Sequence, residues 1–558
     1  MPVVALALAL LAQDCERKLV ARDASPGDEL GAAVALSAGR ILAGAPDAEQ
    51  PGGLERGATY VFERAGGAGG DWAQTRLEAS DGADFDFFGA AVSISGDFAL
   101  VGAFGVDLPA PPPGSSGAGD LAGAAYVFRR QGASWLETQK LVASDADELE
   151  FFGASVSLSG SFAVVGARGD ADSRGAAYVF ERVGTRWNET ARLVARDGAP
   201  GHELGISVAI AGSRLVLGAL GDDHAGFLSG SAHVFERVGT AWTQTAKLVA
   251  SDARASQRFG EHVALSGRRI VVGAWGDDHA GFVSGAAYVF EKQGDAWIEV
   301  QKLVARDAAA GDVFGSAVAI VGDRILVGAK QTADLGTESR SAYLFERRGP
   351  RWVEVDELSA SDGAPFQRFG RAVALDGRVA AVGSLDVGMA GALYAHDLRC
   401  RVGEVDAYCF CDADAPCGNE DPLAGCATSS GAGSLLFATG TASASRDDLT
   451  LFAVGVPPGE PGIFFMGSEA PRSPFGDGLR CVGAGSTGVF RYALQSAGPD
   501  GVLTLGPGIV AFSGARFPPA GRIAPGDTWL LQAWFGDPSG PCGFAFNLSN
   551  GLAVSFAP

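Results

Sequence analysis

The phrase GAAVALS at Gly31 returns six times, as GAAVSIS at Gly89, GASVSLS at Gly153, GISVAIA at Gly205, GEHVALS at Gly260, GSAVAIV at Gly315 and GRAVALD at Gly370. A chain with a period of 52 to 64 residues is built from copies of one supersecondary unit, so a residue that recurs with the period serves the unit before it serves a site. Each copy reads as four strands. The first, such as SVSLS, alternates bulky and small residues at period two. The second, such as RIVVGA, is apolar almost throughout and is expected to be buried on both faces. The third is AAYVFER or a near relative, at Tyr60, Tyr126, Tyr178, His233, Tyr288, Tyr343 and Tyr394. The fourth begins at Trp72, Trp135, Trp187, Trp242, Trp297 and Trp352, and its mixture of charge with apolar residues suits an outer edge. Four strands cannot cover both of their own faces, whereas seven such sheets stacked radially cover one another. The fold class is therefore all-β: a seven-bladed β-propeller over residues 14–398.

The seventh copy lacks a fourth strand, but CERKLVARD at residues 15–23 matches the end of one. The N-terminus is expected to complete the last blade. That closure would put Cys15 beside Cys400, and a bridge there would stabilise the ring by up to ~5 kcal/mol.

Phe-Gly, then V-x-L-S-G, VGA and GAAYVF, resembles the FG-GAP repeat of the integrin α-subunit propeller and its bacterial relatives. The resemblance implies an extracellular binding propeller, and in that family calcium commonly occupies a D-x-D-x-D-G turn between the first two strands. Here those turns read SGDF, SGSF, AGSR, SGRR, VGDR and DGR, too short and too poor in carboxylates. No metal and no cofactor is carried over.

GDDHAGF occurs twice, at residues 221–227 and 276–282, between the second and third strands of blades four and five. Asp222, Asp223, His224, Asp277, Asp278 and His279 are candidate ligand-binding residues, set against the reading that duplication made a loop whose Asp side chains cap local amides. Arg168-Gly169-Asp170 forms an RGD whose Gly-Asp belongs to the repeat, so chance is favoured over an integrin ligand. An Asp follows every fourth strand, at Asp23, Asp81, Asp145, Asp197, Asp252, Asp307 and Asp362; recurrence makes it structural, accepting amide hydrogens where the chain turns inward. The variable loops after the second and fourth strands emerge on one face, the expected binding face.

A net charge of −22 disfavours nucleic acid and anionic membrane surfaces. The opening MPVVALALALLA, residues 1–12, reads as a signal peptide, and no later stretch is apolar for long enough to span a membrane. Cys409, Cys411, Cys417, Cys426, Cys481 and Cys542 suit an oxidising compartment and are expected to pair among themselves, with 15 pairings open to six cysteines. The alternatives for this region, a zinc knuckle or a calcium turn at Asp412, Asp414 and Asp421, lack C-x-x-C pairs. Residues 399–433 are read as a disulfide-stapled linker and 434–558 as a β-sandwich. CFCDADAPCGN, FGDGLRCVG and LQAWFGDPSGPCGFAFNLSNGLAVSF resemble a C-terminal module of large secreted bacterial proteins.

With no G-x-S-x-G, H-E-x-x-H or nucleophilic Cys partnered by His, the chain reads as a secreted or cell-surface binding scaffold, non-catalytic, that presents propeller loops to a protein or glycan. The alternatives are a glycan hydrolase, with Asp84, Asp86, Glu148 and Glu150 as the nearest carboxylates, and a structural envelope protein.

Overall fold

A computed structural model describes residues 16–50, 54–64, 72–108, 120–330, 341–362, 367–386, 390–398, 405–411, 415–421, 424–439, 442, 444, 447–485 and 487–556. The expected leader at 1–12, both members of the expected Cys15–Cys400 bridge, and Asp412 and Asp414 lie outside them. The chain forms two compact units, residues 1–398 and 399–558.

The first unit holds seven four-stranded antiparallel sheets. In blade five the strands are Val263–Ser266, Arg269–Ala274, Ala286–Gln293 and Ala296–Leu303, paired in chain order from the channel outward. Five of the six residues in Arg269–Ala274 are buried, because neighbouring blades cover both faces of the second strand. Blade seven has the order Glu16–Leu19, Ala392–Asp397, Val379–Asp386, Gln367–Leu375. Lys18 stands opposite Tyr394 and Leu19 opposite Leu393, so the ring closes by exchange of the N-terminal strand.

The two glycines that recur in Phe-Gly and Val-Gly-Ala have one cause. Successive blades approach backbone to backbone: a Cβ on Gly273 would lie 2.0 Å from Gly315 O, and one on Gly383 would lie 2.0 Å from Gly31 O at the closure. The preceding Phe fills the space under this contact. Phe88, Phe152, Phe259, Phe314 and Phe369 are buried, each ring about 5.5 Å from the Tyr of its own third strand.

The recurring Asp does more than cap amides. Asp81, at the end of blade one, accepts the Tyr126 hydroxyl at 2.8 Å and the Lys140 ammonium at 2.7 Å, both from blade two. Asp252 takes Tyr288 and Lys302 of blade five, each at 2.6 Å, and Asp362 takes Tyr394 and Lys18, each at 2.6 Å. It is a latch from one blade to the next, repeated at the closure with the N-terminal lysine in place. Partial burial pushes the Asp81, Asp252 and Asp362 carboxyls up, and the lysine and tyrosine hydrogen bonds outweigh it, so all three lie below the usual carboxylate range. A second staple runs alongside: Ser80, Ser144 and Ser251 each donate N–H and O–H to the Glu of the next fourth strand, as Ser361 does to Glu16.

The second unit is a β-sandwich. One sheet is ordered Val405–Tyr408, Gly551–Ser555, Thr528–Gly536, Pro461–Gly467, Phe490–Arg491; the other is Leu435–Thr439, Thr450–Val454, Leu503–Leu505. Leu436 and Leu451 from one sheet share a core with Phe464, Leu531 and Val554 from the other. Two features depart from the sequence reading. Val405–Tyr408, in the segment read as linker, pairs with Gly551–Val554 and is a strand of the sheet. Ile509–Arg516 is a helix whose first turn is capped by Asp447, which accepts Val510 N–H at 2.7 Å and Ala511 N–H at 2.8 Å. The six cysteines pair as Cys409–Cys481, Cys411–Cys426 and Cys417–Cys542.

Candidate functional site

The duplicated loop is built around its first Asp. Asp222 and Asp277 are buried beneath the loop rather than displayed by it. Asp222 accepts Ser231 Oγ at 2.8 Å and His224 N–H at 3.0 Å, and pairs with Lys247 at 2.6 Å. Asp277 accepts Gln257 at 2.8 Å, Lys302 at 2.9 Å and His279 N–H at 3.0 Å. Burial pushes both carboxyls up, but the lysine bonds, with Ser231 or Gln257 beside them, outweigh it and hold each at about 2. Asp223 and Asp278 accept the amides of Leu228 and Val283 five residues on, closing the turn. His224 and His279 each set Nδ1 at 3.2 Å from the buried Asp and 3.3 Å from Ser229 or Ser284. These contacts spend the candidates on the loop's own shape, and what the loop displays instead is Phe227 and Phe282, exposed at 69% and 73%.

Asp170 of the RGD is also buried, with the Tyr178 hydroxyl at 2.9 Å and Arg192 on its carboxylate, while Arg168 lies over the Phe151 ring at 4.9 Å. Asp84 and Glu148 are exposed, but Asp86 and Glu150, read as part of a solvated loop, are buried. Their position recurs: Asp28, Asp86 and Asp312 each accept the amide three residues earlier, at 2.6 to 2.7 Å. Glu150 occupies the same place. Burial, with Asp170 and Asp145 nearby, pushes its carboxyl up to about 8.

Recurrence breaks at the mouth of the central channel, on the face where the loops after the second and fourth strands emerge. First strands of all seven blades line a cavity of about 380 Å³. The two residues after each anchor glycine are small or apolar except in two blades, where Glu261, His262 and Arg371 face the cavity. Around Glu261 stand Trp275, whose indole N–H donates to Oε2 at 2.5 Å, and Arg258 at 4.0 Å. The Trp275 ring has Arg258 at 4.5 Å on it and Lys330 at 5.8 Å. Burial, then Arg371, pushes the Lys330 ammonium down to about 8, with Arg368 and Arg258 adding to the shift and Glu261 opposing it. Burial likewise holds His262 neutral, at about 4. At the repeat positions of Trp275 and Arg258, blades two and three carry Phe104, Phe87 and Phe151; Phe87 and Phe104 stack at 5.0 Å, and Phe151 lies 6.2 Å from Phe104. Sequence reasoning passed over this cluster, although the signal was present: GEH and GRA stand where five copies carry uncharged residues after the glycine.

The FG-GAP repeat model matches residues 14–62, 72–128, 135–180, 187–235, 242–290, 297–345 and 352–395. The chain belongs to the FG-GAP repeat family. These seven matches coincide with the seven blades, each beginning near the fourth strand of one blade and ending in the third strand of the next. No curated protein matches the sequence. Among solved structures, the periplasmic gluconolactonase PpgL of Pseudomonas aeruginosa is similar at 14% identity and a TM-score of 0.38, over 60% of this chain and 86% of that one. Among the described residues of this FG-GAP protein, no helix is long and apolar enough to cross a membrane, and no group of three or more His, Cys, Asp or Glu is placed to hold a metal.

Proposed function

We propose that this protein is a secreted or cell-surface binding scaffold, non-catalytic, that receives part of a glycan or protein ligand in the mouth of its propeller channel. The observation that carries the reading is the break in the repeat: among the described residues that line the cavity, charge enters only at Glu261 and Arg371, with neutral His262 beside Glu261. A ring held together by identical contacts has no packing reason to differ there, and a group that differs in one blade serves something met once. Family membership and three disulfides support an extracellular setting. The carboxylates of the hydrolase reading favour it less, since Asp86 and Glu150 hold a position that is polar in several blades and that shapes the inbound loop.

The test is a glycan and protein array probed with the full chain, with and without chelator. Saturable, chelator-insensitive binding supports the scaffold. Turnover of an arrayed glycan establishes the hydrolase instead, and self-assembly with no ligand retained establishes the envelope protein.

A further inference from the structure

One side of the mouth gathers positive charge in a strongly acidic protein. Arg258, Lys330, Arg368 and Arg371 gather around one carboxylate, Glu261. Four cations against one anion leave a surplus of three positive charges, while the chain as a whole carries −22. Glu261 is already engaged by Trp275 and lies near Arg258. The side chains of Lys330, Arg368 and Arg371 make no hydrogen bond or ion pair among the described residues, and Lys330 has only the Trp275 ring, at 5.8 Å. Lys330, Arg371 and Arg258 are half-buried and Arg368 is exposed; cations crowded together and partly withdrawn from water are costly unless an anion shares the space. Two of the positions are cationic almost nowhere else: Lys330 corresponds to Pro46, Phe104, Arg168, Leu220, Trp275 and Leu385, and Arg371 to Ala32, Ala90, Ala154, Ile206, Glu261 and Ser316, whereas Arg368 shares its position with Arg258. The one other cation, Arg168, is paired with Glu203 at 3.4 Å.

Two further properties narrow the ligand. Half-buried aromatic rings accompany these positions, Trp275 beside the cations and Phe87, Phe104 and Phe151 at the equivalent positions of blades two and three. Such faces stack on the apolar side of a ring, and a cavity of about 380 Å³ admits one or two rings rather than an element of a folded partner. The surrounding loops carry exposed Asp84, Glu148, Asp223 and Asp278, which repel a polymer charged along its length at distances up to about 8 Å at physiological salt.

We infer that the channel mouth binds a single acidic sugar, one carboxylate or sulfate on an otherwise neutral saccharide, with Lys330, Arg368 and Arg371 meeting the acid group and the aromatic rings stacking on the sugar. This rests on the mouth being the binding site, as proposed above, and adds the class of ligand. Lys330 faces Arg258, Glu261, His262, Arg368 and Arg371, and burial with the neighbouring cations pushes its ammonium down to about 8. Its charge is present below pH 8 and lost above it, so affinity falls as pH rises through that range.

The experiment titrates the full chain calorimetrically with a glucuronate-ended oligosaccharide, the same oligosaccharide ended in glucose, heparin and an acidic hexapeptide. Wild type, Lys330→Gln, Arg371→Gln, the double variant, Lys330→Arg and Arg516→Gln in the second unit are compared, each checked for an unchanged melting temperature. The glucuronate end is expected to bind saturably and at least tenfold more tightly than the glucose end. Affinity drops tenfold or more in the double variant, stays with Lys330→Arg and Arg516→Gln, and weakens several-fold from pH 7 to 9.5 in wild type but not in Lys330→Arg. Equal affinity for the glucose end, or glucuronate binding untouched by the double variant, overturns the inference, as does heparin binding more tightly per site or the hexapeptide binding in place of the sugar. If the array gives a ligand whose binding the double variant does not alter, the scaffold reading stands and this one fails; if the array gives none, both fail.

Discussion

The belt of contacts between blades and the mouth of the channel are made of the same strands, yet they obey opposite rules. In the belt, Asp81, Asp252 and Asp362 repeat one latch to Tyr and Lys, and Gly273 and Gly383 repeat one close approach. In the mouth, charged residues enter the lining in two blades and leave the rest small or apolar. The belt carries stability because every blade needs it. The mouth is free to vary because its side chains border an open cavity of about 380 Å³, where exchanging Ala for Arg breaks no contact between blades.

The largest expected effect lies in the belt. Gly273→Val places a side chain against the Gly315 carbonyl and is expected to cost more than ~4 kcal/mol, against ~1 kcal/mol for Gly267→Ala in an open turn of the same blade, both read by urea denaturation. Next comes acid. His233 and His396 are buried neutral, each with a folded pKa of about 4 against 6.5 unfolded, so the unfolded chain binds more protons between those values. Stability is full above pH 6.5, falls as pH drops toward 4, and levels below it. His233 alone contributes up to ~3 kcal/mol to this loss, and His233→Tyr, which restores the residue of the other blades, is expected to remove that share of the fall in the denaturation-midpoint profile and leave the share of His396 and His262. A smaller loss, ~1–2 kcal/mol, is expected for Tyr288→Phe, which leaves Asp252 and Asp277 one donor short. Smallest is Lys330→Met at the mouth: stability stays within ~0.5 kcal/mol or rises, because a crowded cation is removed. A loss above 2 kcal/mol there would erase the distinction between belt and mouth.

How much was legible follows the same division. The seven anchors, the four strands of each blade and closure through Lys18 could be read because periodicity repeats the evidence seven times. The role of the recurring Asp could not: its partners, Tyr126 and Lys140 for Asp81, are 45 and 59 residues away and adjacent only once the blades stack. Duplication made GDDHAGF conspicuous, yet its carboxylates close the loop on itself. The second unit has no repeat to average over, and there local pattern failed first. Ile509–Arg516 is capped by Asp447, 63 residues from Val510, and Val405–Tyr408 finds its partner at the far end of the chain.

From the amino-acid order alone came the number of blades, their strand pattern and the place where the ring is fastened, since each is a local periodicity written along the chain. Which carboxylates are buried, which cysteines meet, and that Glu261, His262, Lys330 and Arg371 share one mouth was decided only in three dimensions. Those side chains come from blades five, six and seven, and burial and charge act through space rather than along the backbone.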